Sequence, residues 1–426
     1  MKVCMVTTGH SAFDDRIFYK EAVSLRQSGC GVTILAPLNE EGSLFDMGGN
    51  SLGSTEVTAK GVLIKGFAGG WRQPSALRAL ARSTRLTEVG ALSWLPEPFP
   101  DLIRLGTELA ADVYHCHEIW SLQACIEVIR RLRREGKTAK LIYDVHEYTP
   151  AAYSTSKRLF GLWRRWLRWN VTHFEREALP YVDYVITANH ITRGYLLTLD
   201  RFIQTEVIYN SPIISAYEAK RSKGSSANKI TICHEGSLSF DRGLKIMLEV
   251  MRLLKNTCHD GVELLIVGRI PKEEGDYLRK KRDEYGLQSV VKCTGWLPYE
   301  ELGHALSQAD IGLILMDPTE NNMLAGPPNK LFNYMGAGIP VVSVDLPETS
   351  RIIREAECGL IAPDRTATGL VDTLSLLIGD DRKRRELGEN GRKSVEDHYS
   401  WSHMATRLLK VYEEVINRER NVCDRN

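Results

Sequence analysis

Short apolar runs alternate with longer amphipathic stretches along this chain, which is the pattern of strands that alternate with helices. Strand, helix and strand in this order build parallel sheets, whose loops at the carboxyl edge form a binding crevice. In the first half, predicted strands lie at or end within 3–6, 31–36, 112–118, 141–147, 184–188 and 206–209.

A second series of the same kind begins at Ile230, after a stretch at 218–229 whose Lys, Ser and Ala content is typical of a linker. Its predicted strands lie at 230–234, 263–267, 289–293, 311–315, 339–344 and 359–361. We therefore predict an α/β fold with two Rossmann-like, doubly wound domains that face a cleft. They span 1–215 and 229–399, and a C-terminal helix at about 400–426 crosses back to the first domain.

Composition narrows the classes of function. The 426 residues carry a net charge of +1, so no overall field recruits nucleic acid. The nine cysteines are scattered without a CxxC pair, which favours reduced thiols in a cytoplasm over disulfides or structural zinc. No apolar run approaches the roughly 20 residues of a membrane span, and the amino terminus lacks a signal-like segment. We expect a cytoplasmic protein.

Residues 157–174 combine five basic side chains with three tryptophans and contain no acidic residue. A basic amphipathic helix of this kind is typical of proteins that rest on anionic membrane surfaces. The alternative is a core helix with a solvated basic face. The tryptophans favour association with the cytoplasmic face of a membrane. A second unusual segment, 67–100, is predicted to be an irregular insertion that serves acceptor recognition or is a simple surface loop.

Two neighbouring strands of the predicted first sheet end in a histidine followed by a glutamate. The two histidines are His117 and His146, and Gly9 and His10 follow the first strand at the same edge. A single histidine is usually structural, but the repetition at one edge makes His117 a candidate for chemistry. Zinc is another interpretation, although no HExxH motif supports it.

The stretch from Gly326 to Asp345 holds a helix start, a glycine exit and a buried strand. Pro328 presets the backbone of the first helical turn, whose unpaired N–H groups attract anions, and Lys330 lies inside that turn. Arg242 follows the first strand of the second domain, a few residues after Gly236, and arginine can fork onto phosphate oxygens. Each cation alone would be an ordinary surface charge, but both at one sheet edge would clamp a diphosphate without a metal.

With these motifs the chain resembles the family 4 glycosyltransferases, the retaining enzymes of the two-domain GT-B fold. The resemblance covers nearly the whole chain, and its strength is the ordered set of motifs. The motifs are RIFYKEA at 16–22, DVYHCH at 112–117, Gly236 with Arg242-Gly243, LIVG at 265–268, GWLPYEEL at 295–302, PNKLFNYM at 328–335 and YSW at 399–401.

The resemblance implies that the second domain holds a nucleotide-sugar and the first holds the acceptor. Gly9 and His117 would border the sugar, which His117 orients, while Arg242 and Lys330 would meet the diphosphate. Backbone at 294–297 would meet the base. The predicted substrate-binding residues are Gly9, His10, Asp15, Arg16, His146, Gly236, Gly268, Thr294, Trp296, Leu297, Asn329, Leu331 and Asn333, and neither a metal nor a cofactor is expected.

The chain departs from the family's pattern at several positions. The family often carries two glutamates eight residues apart, where this chain has Ala325 and Asn333. Asn333 can still hydrogen-bond a ribose, whereas Ala325 offers no polar group. Ser237 stands where an arginine often follows the glycine, which leaves more of the phosphate charge to Arg242 and Lys330. The residues that could replace the missing sugar contact are Glu320, Asn321 and Asn322.

The expected function is transfer of a sugar, with retention, from a UDP- or GDP-linked donor to a saccharide or lipid-linked acceptor in polysaccharide or glycolipid assembly. One alternative is a sugar-nucleotide epimerase on the same architecture, which would need acid and base groups such as His10, His117 or Glu147. The other is a non-catalytic subunit that binds a nucleotide-sugar or nothing, which the residues at 325 and 333 would suit.

Overall fold

A computed structural model describes residues 1–68, 99–154, 161–217, 229–256 and 261–418. Contacts divide the chain into two compact units, Met1–Tyr209 with Met404–Asn426, and Asn210–His403. The boundary between the two domains that the sequence predicts, at 215–229, lies a few residues after the boundary between these units at Tyr209 and Asn210. Residues 218–228 of the predicted linker and residues 69–98 of the predicted insertion lie outside the described residues.

The first unit is built on an eight-stranded sheet with its central strands buried on both faces. Its strands are β1 (Lys2–Thr7), β2 (Gly31–Pro37), β3 (Glu56–Ala59), β4 (Val62–Phe67), β5 (Val113–His117), β6 (Lys140–Val145), β7 (Tyr184–Thr187) and β8 (Thr205–Val207). Their order in space is β3-β4-β2-β1-β5-β6-β7-β8, and all neighbours are parallel except β3 and β4.

Helices connect these strands and cover the sheet. A π-helical segment, Asp15–Ala22, leads into the first α-helix, and the side chain of Asp14 caps it by accepting the backbone N–H groups of Arg16 and Ile17. The α-helices are α1 (Val23–Gln27), α2 (Pro100–Leu109), α3 (Glu118–Arg134), α4 (Thr149–Ser154), α5 (Gly161–Ala178) and α6 (His190–Leu199).

The second unit has a six-stranded, wholly parallel sheet in the order β11-β10-β9-β12-β13-β14. These strands are β9 (Ile230–Glu235), β10 (Val262–Val267), β11 (Val291–Gly295), β12 (Ile311–Ile314), β13 (Val341–Ser343) and β14 (Gly359–Ile361). Its α-helices are α7 (Leu244–Asn256), α8 (Lys272–Glu284), α9 (Tyr299–Leu306), α10 (Glu320–Leu324), α11 (Asn329–Gly336), α12 (Pro347–Glu355), α13 (Ala367–Ile378) and α14 (Asp381–Ser394).

A long last helix, α15 (Trp401–Asn417), starts in the second unit and belongs to the first unit from Met404 onward. Its buried face includes Leu408, Val411 and Tyr412. The Tyr412 hydroxyl lies 2.9 Å from Nδ1 of His115, so this helix is tied to β5 by a buried hydrogen bond. No described helix combines the length and apolar character that crossing a bilayer requires.

The predicted α/β class with two parallel sheets and a returning helix is confirmed. The sequence analysis missed the antiparallel hairpin of β3 and β4 at the edge of the first sheet. Polar and apolar residues alternate in β3, because only one of its faces is covered, and this run of four residues is too short to stand out from the polar residues before it. The local signal was Lys60-Gly61, both with positive φ, which is the geometry of a two-residue hairpin turn.

Tyr334 of α11 fastens this helix to the centre of the second sheet. Its hydroxyl is fully buried, accepts the backbone N–H of Glu235 at 2.8 Å and donates to the carbonyl oxygen of Cys233 at 3.1 Å. Tyr334→Phe should lower the free energy of unfolding by about 1–3 kcal/mol, because a buried N–H loses its partner. Urea denaturation of both proteins measures this difference.

Tyr277→Phe is the matched control, because that ring packs on Phe240 while its hydroxyl has no hydrogen bond to the described residues. It should change stability by less than about 0.5 kcal/mol. Equal effects of the two substitutions would contradict the assignment.

Candidate functional site

The loops after β9, β10 and β11 meet through their glycines. The N–H of Gly236 donates to the carbonyl oxygen of Val267 at 2.8 Å, and that of Gly268 donates to Gly295 at 2.9 Å. Gly268 has φ +141°, and a Cβ there would lie 2.3 Å from the carbonyl oxygen of Gly236. Any side chain at this position would push the loops apart, so the structure brings the two predicted glycines into direct contact.

Lys330 lies in the first turn of α11, behind the extended residue Pro328, as the sequence predicts. The side chain is only 5% exposed, and its Nζ lies 3.3 Å from Nε2 of His234 at the end of β9. This is its only hydrogen bond to the residues that the structure describes. Burial lowers the pKa of Lys330 to about 8, with Glu235 acting against the shift and Arg242 adding to it.

The partner of this ammonium group is neutral. Burial, with the charge of Lys330 next, holds the pKa of His234 well below its ordinary value. The neutral ring therefore accepts a hydrogen bond from the Lys330 ammonium through Nε2 and supplies no negative charge. A buried cation with a neutral partner is costly, and an anion beside it would recover that cost.

Arg242 ends a 3₁₀ turn, Phe240–Arg242, that follows β9. Gly243 comes next with φ +96°, and a Cβ there would lie 2.3 Å from the carbonyl oxygen of Leu315, so only glycine lets the turn pack this closely. The guanidinium is half-buried, and its one hydrogen bond to described residues is a weak contact with the Met316 sulfur at 3.9 Å. Because its charge also lowers the pKa of Lys330, the two cations act on the same region.

Asn333 lies one turn after Lys330 and is 7% exposed. Its amide donates to Oε2 of Glu235 at 3.2 Å, so the structure joins α11 to the end of β9 at this point as well. Sequence reasoning missed Glu235, which places a carboxylate beside the position where the family often has a glutamate.

The other predicted residues of this unit differ in what they present. Thr294 is exposed near the end of β11 and Trp296 is exposed just after it, Leu297 is half-buried, and Asn329 is exposed at the start of α11. Leu331 is fully buried and its N–H donates to the carbonyl oxygen of Pro328 at 2.9 Å, so it contributes packing to this turn.

The three residues proposed to replace a missing sugar contact lie on α10. Asn322 is 3% exposed and its amide donates to the carbonyl oxygens of Asp241 at 3.3 Å and Asp317 at 2.9 Å. It therefore holds the loop that carries Arg242. Glu320 is exposed and Asn321 is half-buried on the same helix.

In the first unit, the parallel register brings the predicted strand-end residues together. Thr7 pairs with His117, and His117 pairs with Asp144, so β1, β5 and β6 end side by side. His146 follows β6, and its Nε2 lies 3.3 Å from Nδ1 of His117 and 3.3 Å from Oδ2 of Asp144.

His117 is fully buried beneath this arrangement. Burial, with a hydrogen bond and the charge of Asp144 acting against it, lowers the pKa of His117 to about 4, so the ring is neutral. Its role toward a sugar stays a prediction.

Arg16 is also buried, at 3% exposure, where a charge needs partners. Its guanidinium bonds both oxygens of Asp144, donates to the carbonyl oxygen of Ile208 at 2.8 Å and lies 2.9 Å from Oε1 of Glu21. The guanidinium of Arg16, a predicted substrate-binding residue, is thus hydrogen-bonded to other groups of the protein. Asp15 beside it pairs with Lys20 at 2.7 Å.

The accessible polar group of this edge is a row formed by Asp14, His10 and Glu118. His10 Nδ1 lies 2.9 Å from Asp14 and its Nε2 lies 2.9 Å from Glu118, and the His10 and Glu118 side chains are 27% and 32% exposed. Although burial opposes the charged form, the hydrogen bonds to Asp14 and Glu118 raise the pKa of His10 to about 10. Gly9 lies against this row, since a Cβ there would be 2.8 Å from Oε2 of Glu118.

Glu118 itself adopts φ +70°, an uncommon conformation for a side-chain-bearing residue that concentrates at functional sites. Sequence reasoning missed it, together with Asp14, His115 and Glu21. Glu118 and His115 had a visible signal, because both flank His117 at the end of a predicted strand.

Helix α5 contains residues 161–174 of the predicted basic segment, while 157–160 and the Trp163 side chain lie outside the described part. Leu167 and Val171 are fully buried against Ile119, so one face of the helix belongs to the core. Large apolar side chains of this helix are exposed away from that face, and Arg164 and Arg165 are exposed as well. The apolar ones are Leu162, Trp166 and Trp169, at 81%, 39% and 62% exposure.

Two family models match the chain in succession. The "Glycosyl transferase 4-like domain" matches residues 16–211, and "Glycosyl transferases group 1" matches residues 216–394. A phosphatidyl-myo-inositol mannosyltransferase of Mycobacterium leprae is 29% identical over 174 residues, which are 41% of this chain and 43% of that protein. The chain spans about half the length of the curated relatives it matches.

Solved structures share the fold over nearly the full length. Sucrose-phosphate synthase from Thermosynechococcus elongatus aligns over 97% of this chain and 99% of its own, with a TM-score of 0.69 and 14% identity. Anabaena Alr3699/HepE, solved in complex with UDP and glucose, aligns over the same shares with a TM-score of 0.68 and 14% identity.

Lys330 makes anion binding dependent on pH. With a pKa of about 8, the side chain is an ammonium below pH 8 and neutral above it, and only the charged form attracts a diphosphate. The affinity for UDP or GDP should therefore stay level from pH 7 to 8 and fall by up to about tenfold for each further pH unit. Isothermal titration calorimetry at pH 7 to 9.5 measures this dependence.

Lys330→Met is the control. It should bind more weakly at every pH and lose the decline above pH 8. An affinity of the unsubstituted protein that stays constant to pH 9.5 would contradict the role of Lys330.

Proposed function

Because this chain belongs to the group 1 glycosyltransferases of family 4, we propose that it transfers a sugar, with retention, from a nucleotide-diphosphate sugar to an acceptor hydroxyl. The second unit binds the donor in this proposal, and the first unit binds the acceptor. The observation that carries it is Lys330, a buried ammonium whose only described hydrogen-bond partner is a neutral imidazole.

The donor diphosphate would supply the negative charge that the neutral hydrogen-bond partner of Lys330 does not provide. Lys330 and Arg242 would hold the phosphate oxygens, and the glycine loops at Gly236 and Gly268 would allow close backbone approach. The exposed segment around Thr294 and Trp296 would meet the base. A UDP-linked donor is favoured by the likeness to a structure solved with UDP and glucose.

Catalysis follows from where charge develops. As the bond between sugar and diphosphate breaks, negative charge grows on the leaving phosphate, where the two cations are already fixed. The acceptor hydroxyl attacks from the face that the diphosphate leaves, which gives retention. The cations perform the charge stabilisation in this proposal, so the diphosphate clamp needs no metal ion.

A lipid-linked acceptor would explain why α5 exposes large apolar side chains. Leu162, Trp166 and Trp169 would enter the interfacial region of a membrane, and the exposed Arg164 and Arg165 would meet anionic headgroups. The likeness to a phosphatidyl-myo-inositol mannosyltransferase supports an acceptor of this class. We propose a protein that works at the cytoplasmic face of a membrane during glycolipid or polysaccharide assembly.

Arg242→Ala should reduce turnover by about 100-fold or more, since it removes one of the two charges that meet the leaving group. The donor is first identified by a thermal-shift screen of UDP- and GDP-sugars, because a ligand of the folded form raises its midpoint. Turnover is then measured as release of the nucleoside diphosphate in the presence of acceptor.

Arg279→Ala is the matched control, since Arg279 is an exposed arginine of α8 paired with Asp276, and it should keep normal turnover. Equal activities of the two variants would contradict the proposal. Conversion of the donor to an epimer without any acceptor would identify an epimerase, and the absence of any stabilising nucleotide-sugar would identify a non-catalytic subunit.

Replacing Leu162, Trp166 and Trp169 together by alanine should abolish flotation with vesicles that contain an anionic phospholipid. Each side chain loses apolar surface that the membrane would bury. Phe202→Ala is the control, because Phe202 is 63% exposed but lies outside α5, and it should float normally. Unchanged flotation of the triple variant would remove α5 from the proposal.

A further inference from the structure

Four side chains of the first unit form a closed group around atoms that lack partners. This group, the buried histidine–carboxylate cluster, consists of Glu21, His115, His117 and Asp144, all fully buried. Nε2 of each histidine and Oε2 of Glu21 have no hydrogen-bond partner among the residues that the structure describes. An unpaired polar atom is costly to bury, so three of them facing one another indicate a missing partner.

The spacing of these atoms suits an ion. Oε2 of Glu21 lies 3.7 Å from Nε2 of His117 and 4.0 Å from Nε2 of His115, and Asp144 Oδ2 lies 3.8 Å from Nε2 of His115. One ligand atom from each of the four residues lies within 4.8 Å of all the others. Tetrahedral bonds of about 2.0–2.1 Å place ligand atoms about 3.4 Å apart, so these three separations exceed that spacing by about 0.3–0.6 Å, and the side chains would have to draw together around an ion.

We propose that the buried histidine–carboxylate cluster binds one divalent transition-metal ion, for which Zn²⁺ is the best-fitting probe. Two imidazole nitrogens with carboxylate oxygens are ligands that zinc accepts in tetrahedral sites. The His115-x-His117 spacing on β5 supplies both rings from one face, because alternate residues of a strand point to the same side.

The surroundings orient these ligands. His115 Nδ1 is hydrogen-bonded to the Tyr412 hydroxyl at 2.9 Å, which directs Nε2 into the cluster. Arg16 holds Asp144 and the outer oxygen of Glu21, which leaves Oε2 of Glu21 facing the histidines.

The accessible group of His10, Glu118 and His146 also has metal-like spacing but differs in one decisive respect. Both ring nitrogens of His10 are already bonded to carboxylates at 2.9 Å, so no lone pair is available. The unpartnered nitrogens lie in the buried cluster, and the ion belongs there.

A closed site with four protein ligands is structural. The ion would join the segment after β1, which carries Glu21, to β5 and β6, and through Tyr412 to α15. This inference rests on the first unit alone and is independent of the diphosphate clamp formed by Lys330 and Arg242, so a failure of one leaves the other untouched. It does replace the predicted role of His117 toward the sugar, because a metal ligand in a closed site cannot also orient a substrate.

Metal analysis of the purified full-length chain tests the proposal. Because the cluster is buried, the protein is unfolded with guanidinium and a chelator, then refolded with or without Zn²⁺ and desalted. We expect about one tightly held equivalent of Zn²⁺, a higher melting temperature with metal, and a visible spectrum of tetrahedral type when Co²⁺ replaces Zn²⁺.

Variants assign the site. Glu21→Gln combined with His117→Gln should lose this equivalent, and Tyr412→Phe, which keeps every ligand, should weaken binding by about 10- to 100-fold. His173→Gln removes a partly exposed histidine that stacks on Trp169, and it should bind normally. Tyr412→Phe decides the matter if the double variant does not refold.

Two outcomes would overturn the proposal. One is a refolded wild-type protein that holds only substoichiometric Zn²⁺ and gives no Co²⁺ spectrum, in which case the space holds water. The other is wild-type affinity in both Tyr412→Phe and the double variant, which would place the metal elsewhere.

Discussion

The burial of one ammonium group is the constraint on which the second unit depends. Lys330 has left water for a position where its described hydrogen-bond partner is the neutral ring of His234. Burial lowers the pKa of Lys330, and a buried charge destabilises the free protein. The side chain stays in this position because the first turn of α11 is fixed on both sides. Tyr334 fixes it through the end of β9, and Pro328 fixes the entry of the chain. In the proposed function, the bound diphosphate would recover the energy that burial of this charge costs in the free protein.

In the first unit, by contrast, the buried cation has charged partners. Arg16 is as deeply buried as Lys330, yet two carboxylates and a carbonyl oxygen satisfy its guanidinium. The guanidinium is therefore bonded within the protein, and Arg16 holds together the residues at the ends of the strands around β6. His10 and Glu118 are partly accessible and form a row with Asp14, in which two carboxylates flank one imidazolium and leave a net negative charge. In the proposed function, anion binding therefore falls to the second unit, and the first unit receives a neutral partner.

The strands and helices of both units follow from the sequence because parallel strands, buried on both faces, are continuous apolar runs between glycine and polar turns. Lys330 was also predictable, because Pro-Pro before the helix and glycine after it define the helix ends. Contacts between distant segments were not predictable. Nothing local links Glu235 to Asn333 or Glu21 to His115, since the sheet order brings them together. The hairpin of β3 and β4 was missed because its alternating residues resemble the polar segment before it.

The two departures from the family's glutamate pair have different consequences. At 333 the amide of asparagine is bonded to the Glu235 carboxylate, so negative charge and hydrogen-bonding capacity remain at this corner, supplied by β9 instead of α11. At 325 the backbone is extended and the methyl side chain replaces a carboxylate without a substitute, because Asn322, the buried polar residue nearby, holds the Asp241 loop. The first change alters which strand carries the acid, while the second removes a polar contact altogether. In the proposed function, the sugar of the donor, rather than its nucleotide, is therefore the part whose recognition differs from the common pattern of the family.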